Sequence, residues 1–160
     1  MRIEPEDPAT PDVVALLEKH LADMHATSPA DSVHALDVDE LCAPRITFLV
    51  ARDHAGVLLG MGALADLGGG HGEIKSMHTA SAARGRGVAA AMLTRLLDLA
   101  RDRGCVRVSL ETGSPDFFAP AHRLYERHGL TECGPFDTYL ADPNSRFYTL
   151  DLSGDPSWPT

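Results

Sequence analysis

Aromatic residues are scarce in this chain, at 6% of 160 residues, with one Trp. Cysteine is scarcer still, with only Cys42, Cys105 and Cys133. An odd count without C-x-x-C spacing excludes a disulfide framework and points to reduced, mostly buried thiols of a cytoplasmic protein. Cations are outnumbered: 14 Lys and Arg stand against 23 Asp and Glu, a formal net charge of −9. Phosphate-backbone binding needs clustered Lys and Arg, so nucleic acid is not expected as a partner. The acidic balance leans towards a cationic substrate such as an amine. No run of 18 apolar residues exists, so no membrane span is expected. Residues 1–7 lack a basic segment followed by an apolar one, and no signal peptide is read there. The eight histidines form no H-E-x-x-H or paired Cys/His spacing, so no metal is expected. The absence of G-x-x-x-x-G-K-[ST] argues against a nucleoside triphosphate.

What is present suits one globular core. The chain is 44% hydrophobic and 23% charged, and its length fits a single domain over 1–153. Residues 154–160, with Trp158, read as a mobile tail. An edge strand is expected over 1–4. Thr10 is placed to cap a helix with Pro11 at its first position, and Val13, Leu16, Leu17, His20, Leu21 and Met24 recur at helical spacing. Residues 25–44 are mixed, with a turn at Ser28-Pro29 and a short helical piece over 38–42. Strands are expected over 46–51, 57–67 and 73–79. Turns too short for a helix join them, so they should be antiparallel neighbours. A helix follows over 88–103, closed by Gly104, then a strand over 105–111. A helix over 120–128 and strands over 130–133 and 147–152 complete the pattern. The order is an antiparallel meander, a βαβ unit and a closing α-β-β. The fold class is α+β: a mixed, mostly antiparallel sheet of six or seven strands with one parallel crossover and helices on both faces.

The stretch that carries chemistry is the strand over 73–79, a loop, and Arg84-Gly85-Arg86-Gly87-Val88-Ala89 opening a helix. The first amides of a helix have no partner inside it, and the helix dipole is positive there. Glycines remove the Cβ that would keep a phosphate away, and Arg84 and Arg86 add cationic donors. Together they make a pyrophosphate site. Two cofactor classes fit such a site. A dinucleotide is suggested by the G-x-G-x-x-[G/A] match of Gly85, Gly87 and Ala90, with Glu111 ending the next strand. It is disfavoured because a β meander precedes the motif and too little chain follows for a second mononucleotide half. Coenzyme A is the other.

Here the residues resemble the GCN5-related N-acetyltransferases (GNAT). Arg84-Gly85-Arg86-Gly87-Val88-Ala89 looks like that family's acetyl-CoA signature, [Q/R]-x-x-G-x-[G/A]. Residues 121–130, from Ala121 through Leu124-Tyr125 to Gly129-Leu130, are similar to its A-x-x-L-Y-x-x-x-G-F block, with Leu130 for Phe. The resemblance in element order covers residues 1–152. It implies acetyl transfer from acetyl-CoA to an amine by direct attack in a ternary complex. It implies that Met77, His78 and Thr79 hold the pantetheine arm by backbone hydrogen bonds. The pyrophosphate then lies on the amides of Arg84, Gly85, Arg86, Gly87, Val88 and Ala89. Tyr125 matches the family's general acid. Glu73, eleven residues before Arg84, matches a general base, and Glu111 is the alternative. Phe118 stands where the family often has a cofactor-contacting Asn, a departure that keeps a non-catalytic acyl-CoA-binding module as an alternative. The acceptor is expected to be a small-molecule or peptide amine, and a symmetric homodimer is the default assembly.

Overall fold

The structure, a computed structural model, describes residues 1–29, 33, 34, 36–114 and 118–153. Its elements run β1 (Arg2–Pro5), α1 (Pro11–Thr27), α2 (Val38–Leu41), β2 (Ile46–Arg52), β3 (Leu58–Asp66), β4 (His71–Thr79), a 3-10 turn (Ser81–Ala83), α3 (Val88–Asp102), β5 (Arg107–Gly113), α4 (Ala119–Arg127), β6 (Thr131–Cys133) and β7 (Ser145–Asp151). The strands form one seven-stranded sheet in the order β1-β2-β3-β4-β5-β7-β6. Only β4 and β5 pair in parallel, with α3 as their crossover; the other pairs are antiparallel. The α+β reading of the sequence therefore stands.

Side-chain alternation along the strands builds two cores. One face packs Leu49, Leu64, Ile74 and Leu110 against Met92, Leu93 and Leu96 of α3 and Leu124 of α4. The other packs Phe48, Val50, Met61 and Ala63 against Val13, Leu16 and Leu17 of α1. Burying this apolar surface is the main favourable term holding helices to sheet.

Several boundaries moved from expectation, for local reasons. Thr10 precedes α1 as expected, and Pro11 opens the helix. However, the Thr10 hydroxyl donates back to Asp7 O at 2.8 Å and makes no cap. In α2 the cap is Asp37, in a reciprocal box with Glu40. The hairpin loop is shorter than 68–72: Leu67 N–H already bonds His71 O at 2.9 Å, so β4 begins at His71. Gly104 closes α3 as expected, at φ 79°. Gly104 N–H reaches Arg101 O and Cys105 N–H reaches Ala100 O. This is a Schellman closure, and it uses Cys105 for the helix end. So β5 starts at Arg107 and runs on to Gly113, where Ser145 pairs with it. The thiols are free but less buried than expected: Cys42 is exposed, and Cys105 and Cys133 are half-buried. The tail expected over 154–160 lies outside the described residues.

Gly60 and Gly62 of β3 let α3 lie close on the sheet. A Cβ on Gly60 would sit 2.9 Å from Val88 Cγ1 and 3.0 Å from His78 O. The second neighbour is backbone and cannot swing away. Gly60→Val should therefore destabilise the protein by about 1–3 kcal/mol, the usual range for overpacking. Urea unfolding would measure it.

Candidate active site

The glycine loop folds as its chemistry requires. Gly87 caps α3 in the left-handed region at φ 78°, and Gly85 is also left-handed at φ 76°. The first bond of α3 is Ala91 N–H to Gly87 O, at 3.0 Å. The amides of Val88, Ala89 and Ala90 thus have no partner within the helix. Arg84, Gly85, Arg86 and Gly87 are exposed. A Cβ on either glycine would meet nothing within 4 Å, so the space above the amides is open. Free amides, the positive end of a 15-residue helix and two guanidinium groups fit an incoming pyrophosphate.

Beside this loop the sheet splits. The β4–β5 ladder runs from His71↔Arg107 to Ile74↔Leu110 and stops, although β4 continues to Thr79. The cause lies in β4. Opposite it, β3 steps from Met61 to Ala63 while β4 steps from His78 to Lys75, so β4 holds one extra residue. Ser76 takes the left-handed conformation at φ 56°, uncommon for a residue with a Cβ. This bulge turns β4 away from β5. The opening is a cleft of about 130 Å³ whose lining comes from both faces of the sheet. Met77 lines it, whereas His78 turns towards α1 and Thr79 pairs with Gly60.

On the α3–α4 side the cleft is walled by Tyr125, Thr112 and Phe118. Tyr125 is buried, and desolvation pushes its phenol up to about 12, partly offset by a hydrogen bond with Thr112. The Phe118 ring packs on Gly113, where a Cβ would come within 2.2 Å of it. Buried His122 on α4 fixes this corner. Arg146 Nη1 lies 3.3 Å from its Nδ1, so Nε2 is the protonated nitrogen and donates to Gly113 O at 2.7 Å.

On the opposite face two carboxylates reach the cleft. Glu73 is 4% exposed, and its Oε2 accepts from Tyr139 Oη at 2.5 Å and from Lys75 Nζ at 3.2 Å. Lys75 also donates to Tyr139 Oη at 2.7 Å. Burial and the neighbouring Glu73 carboxylate drive the Tyr139 phenol well above its ordinary value. Glu111 has no ion-pair partner among the described residues, and burial raises its carboxyl above the ordinary 4.5. The His34 ring stands edge-on to Tyr139, centroids 5.0 Å apart. Deeper, His20 Nδ1 and His78 Nδ1 lie 3.1 Å apart. Desolvation lowers His20 to about 4, with the neighbouring His78 adding to it, and desolvation lowers His78 too.

Glu73, Glu111, Met77, Phe118 and Tyr125 thus converge on one cleft, with the loop at 84–89 opening α3 nearby in sequence and fold. Ser114 reaches Pro143 O at 2.6 Å, while Pro115, Asp116 and Phe117 lie outside the described residues. Lys75, Tyr139, His20 and His34 were not anticipated. Lys75 carried a signal, since it stands two residues after Glu73 and shares its face of the strand. Tyr139, in a loop between β6 and β7, carried none.

With this geometry in hand, the relatives agree. The acetyltransferase (GNAT) family model matches residues 13–130. The chain is 43% identical to the uncharacterized N-acetyltransferase YedL of Escherichia coli, over 98% of both chains. It is 39% identical to an IAA acetyltransferase of Azospirillum brasilense, over 94% of this chain and 95% of that protein. A crystal structure from Klebsiella pneumoniae, of a candidate acyl-CoA N-acyltransferase, superposes with a TM-score of 0.78 at 27% identity, over 94% of this chain and 97% of that one. An aminoglycoside 6'-N-acetyltransferase solved with coenzyme A shares the fold, with a TM-score of 0.71 at 16% identity over 98% and 100%. The chain belongs to the GNAT acetyltransferase family, whose members move an acetyl group from acetyl-CoA to an amine. No helix among the described residues is long and apolar enough to cross a membrane.

Glu111 yields a stability test with a definite sign. Its folded carboxyl titrates above the unfolded one. The folded state is therefore relatively favoured while the carboxyl stays protonated, and loses stability as pH rises through the folded value. Glu111→Gln removes that loss. Urea unfolding should show the variant gaining on the wild type as pH rises from about 4 to 8.

Proposed function

We propose that residues 1–153 act as one cytoplasmic N-acetyltransferase domain that transfers the acetyl group of acetyl-CoA to the amine of a small molecule or peptide. One observation carries the detail: a half-buried carboxylate and a protonated phenol face a single cleft, opened by a strand bulge. The thioester supplies an activated acyl carbon when acetyl-CoA is bound. The amides of residues 85–90, with Arg84 and Arg86, take the pyrophosphate. The unpaired edge of β4 at Met77, His78 and Thr79 takes the pantetheine amides. Phe118 gives that arm an apolar wall in place of an Asn.

Glu111 is our choice of base. Glu73 already accepts from Tyr139 and Lys75, whereas Glu111 has the Ser145 hydroxyl beside it but no cation paired to it among the described residues, and burial raises its carboxyl, which suits it to take up a proton. It takes a proton from the incoming ammonium, directly or through water. The freed amine forms the new N–C bond, the C–S bond breaks with its electron pair leaving on sulfur, and the second proton lost from nitrogen passes through water to the thiolate, giving free CoA thiol. Tyr125 is placed for that sulfur. Its phenol, at about 12, lies above the ordinary thiol value of about 8.5. It therefore acts chiefly by donating a hydrogen bond to the departing thiolate.

Two measurements test this reading. Acetyl-CoA at about 100 times its Kd should stabilise the protein by about 2.7 kcal/mol, and NAD(H) should not. A thermal shift with NAD(H) alone would reassign the glycine loop. Tyr125→Phe should lower kcat by about 10²-fold and leave the Kd for acetyl-CoA nearly unchanged. Unchanged turnover would remove Tyr125 from the chemistry.

A further inference from the structure

The charges around the cleft restrict what enters it. Among the described residues its lining holds two carboxylates, Glu73 and Glu111, and one ammonium, Lys75. Lys75 is committed: its side chain is 11% exposed, and Nζ bonds both Glu73 and Tyr139. That leaves Glu111 as a half-buried carboxylate with no cation paired to it among the described residues. The imidazoles of His20 and His34 complete the titratable groups on that side. His20 is neutral near pH 7. The rest of the wall is apolar or aromatic, including Met24, Val33 and the Tyr139 ring.

We infer that the acceptor is a compact primary amine carrying a single positive charge on an apolar or aromatic body. This rests on the amine-acetyltransferase reading above and narrows it. One unpaired carboxylate offers a counter-charge to one ammonium. A second ammonium on the same molecule would enter a cleft of about 130 Å³ with no further free anion among the described residues to meet it, and leaving it desolvated and unpaired is unfavourable. An amino acid fails for the opposite reason. Its carboxylate would lie beside Glu73 and Glu111, and the one ammonium nearby is already shared between two partners. The ring pair of His34 and Tyr139 suits a flat apolar body.

Matched pairs of probes separate charge from shape. Initial rates of free-thiol release from acetyl-CoA would be measured with 2-phenylethylamine against phenylalanine, and with butylamine against 1,4-diaminobutane. Acetyl-CoA binding would be followed in parallel by thermal shift. The singly charged member of each pair should have the higher kcat/KM by tenfold or more. Tyr139→Phe, which keeps the ring, should retain the order within both pairs. Equal or faster acetylation of phenylalanine or of the diamine would overturn the inference and leave the transferase reading intact. Thiol release with none of the four, despite a normal acetyl-CoA shift, would overturn the inference, whereas loss of the acetyl-CoA shift itself would overturn the transferase reading.

Discussion

The rest of the site depends on the bulge at Ser76. Without the extra residue, β4 would continue beside β5, and each amide past Ile74 would have a ladder partner. The bulge ends that ladder and exposes a strand edge in mid-sheet, which elsewhere would be a liability. Here α3 and α4 cover one side, and the region of Tyr139 covers the other. A left-handed residue with a Cβ is strained, at about 1–3 kcal/mol. The two cores on either side of the sheet, together with the β3 ladder opposite, hold it in place.

The split also explains how residues from opposite faces share one space. In an intact sheet, Tyr125 of α4 and Glu111 on the other face would be separated by backbone. Opening β4 from β5 lets both line one cleft, with the acyl carbon proposed to lie between them. The two groups have different environments. Tyr125 is buried and keeps its proton. Glu111 is buried enough to be raised, yet it faces the side from which an amine would come. Pairs of titratable groups pushed in useful directions by burial are typical of proton-handling sites.

Glu73 and Lys75 have a different character. Together with Tyr139 they form a closed polar cluster that joins β4 to the β6–β7 loop. A carboxylate with two donors on one oxygen is well satisfied, which suits holding a wall in place more than exchanging protons. The same cluster takes the one ammonium in the cleft out of play, so the unpaired charge there is negative.

Much of this was legible in the sequence, because it depends on local rules. Period-2 and period-3.6 apolar patterns located the strands and long helices. The anion site proposed at the start of α3 was legible because a helix start, two glycines and two arginines act within six residues of chain. Family likeness in that loop and in the block around Tyr125 supplied the cofactor. The boundaries that shifted did so where a neighbour competed for backbone groups: Cys105 went to the helix closure, and His71 was captured by Leu67. Local pattern could not reveal the Ser76 bulge, since a serine in a polar strand carries no sign of positive φ. Nor could it choose between Glu73 and Glu111, or find Tyr139, 66 residues from Glu73 in sequence and held there by the packing of its loop on Phe136 and Phe147. The sequence by itself determined the elements and the glycine loop that opens α3, whose physics is short-range. Only the tertiary structure decided which charges meet in the cleft and which is left unpaired, because that depends on which strands separate and what folds across the gap.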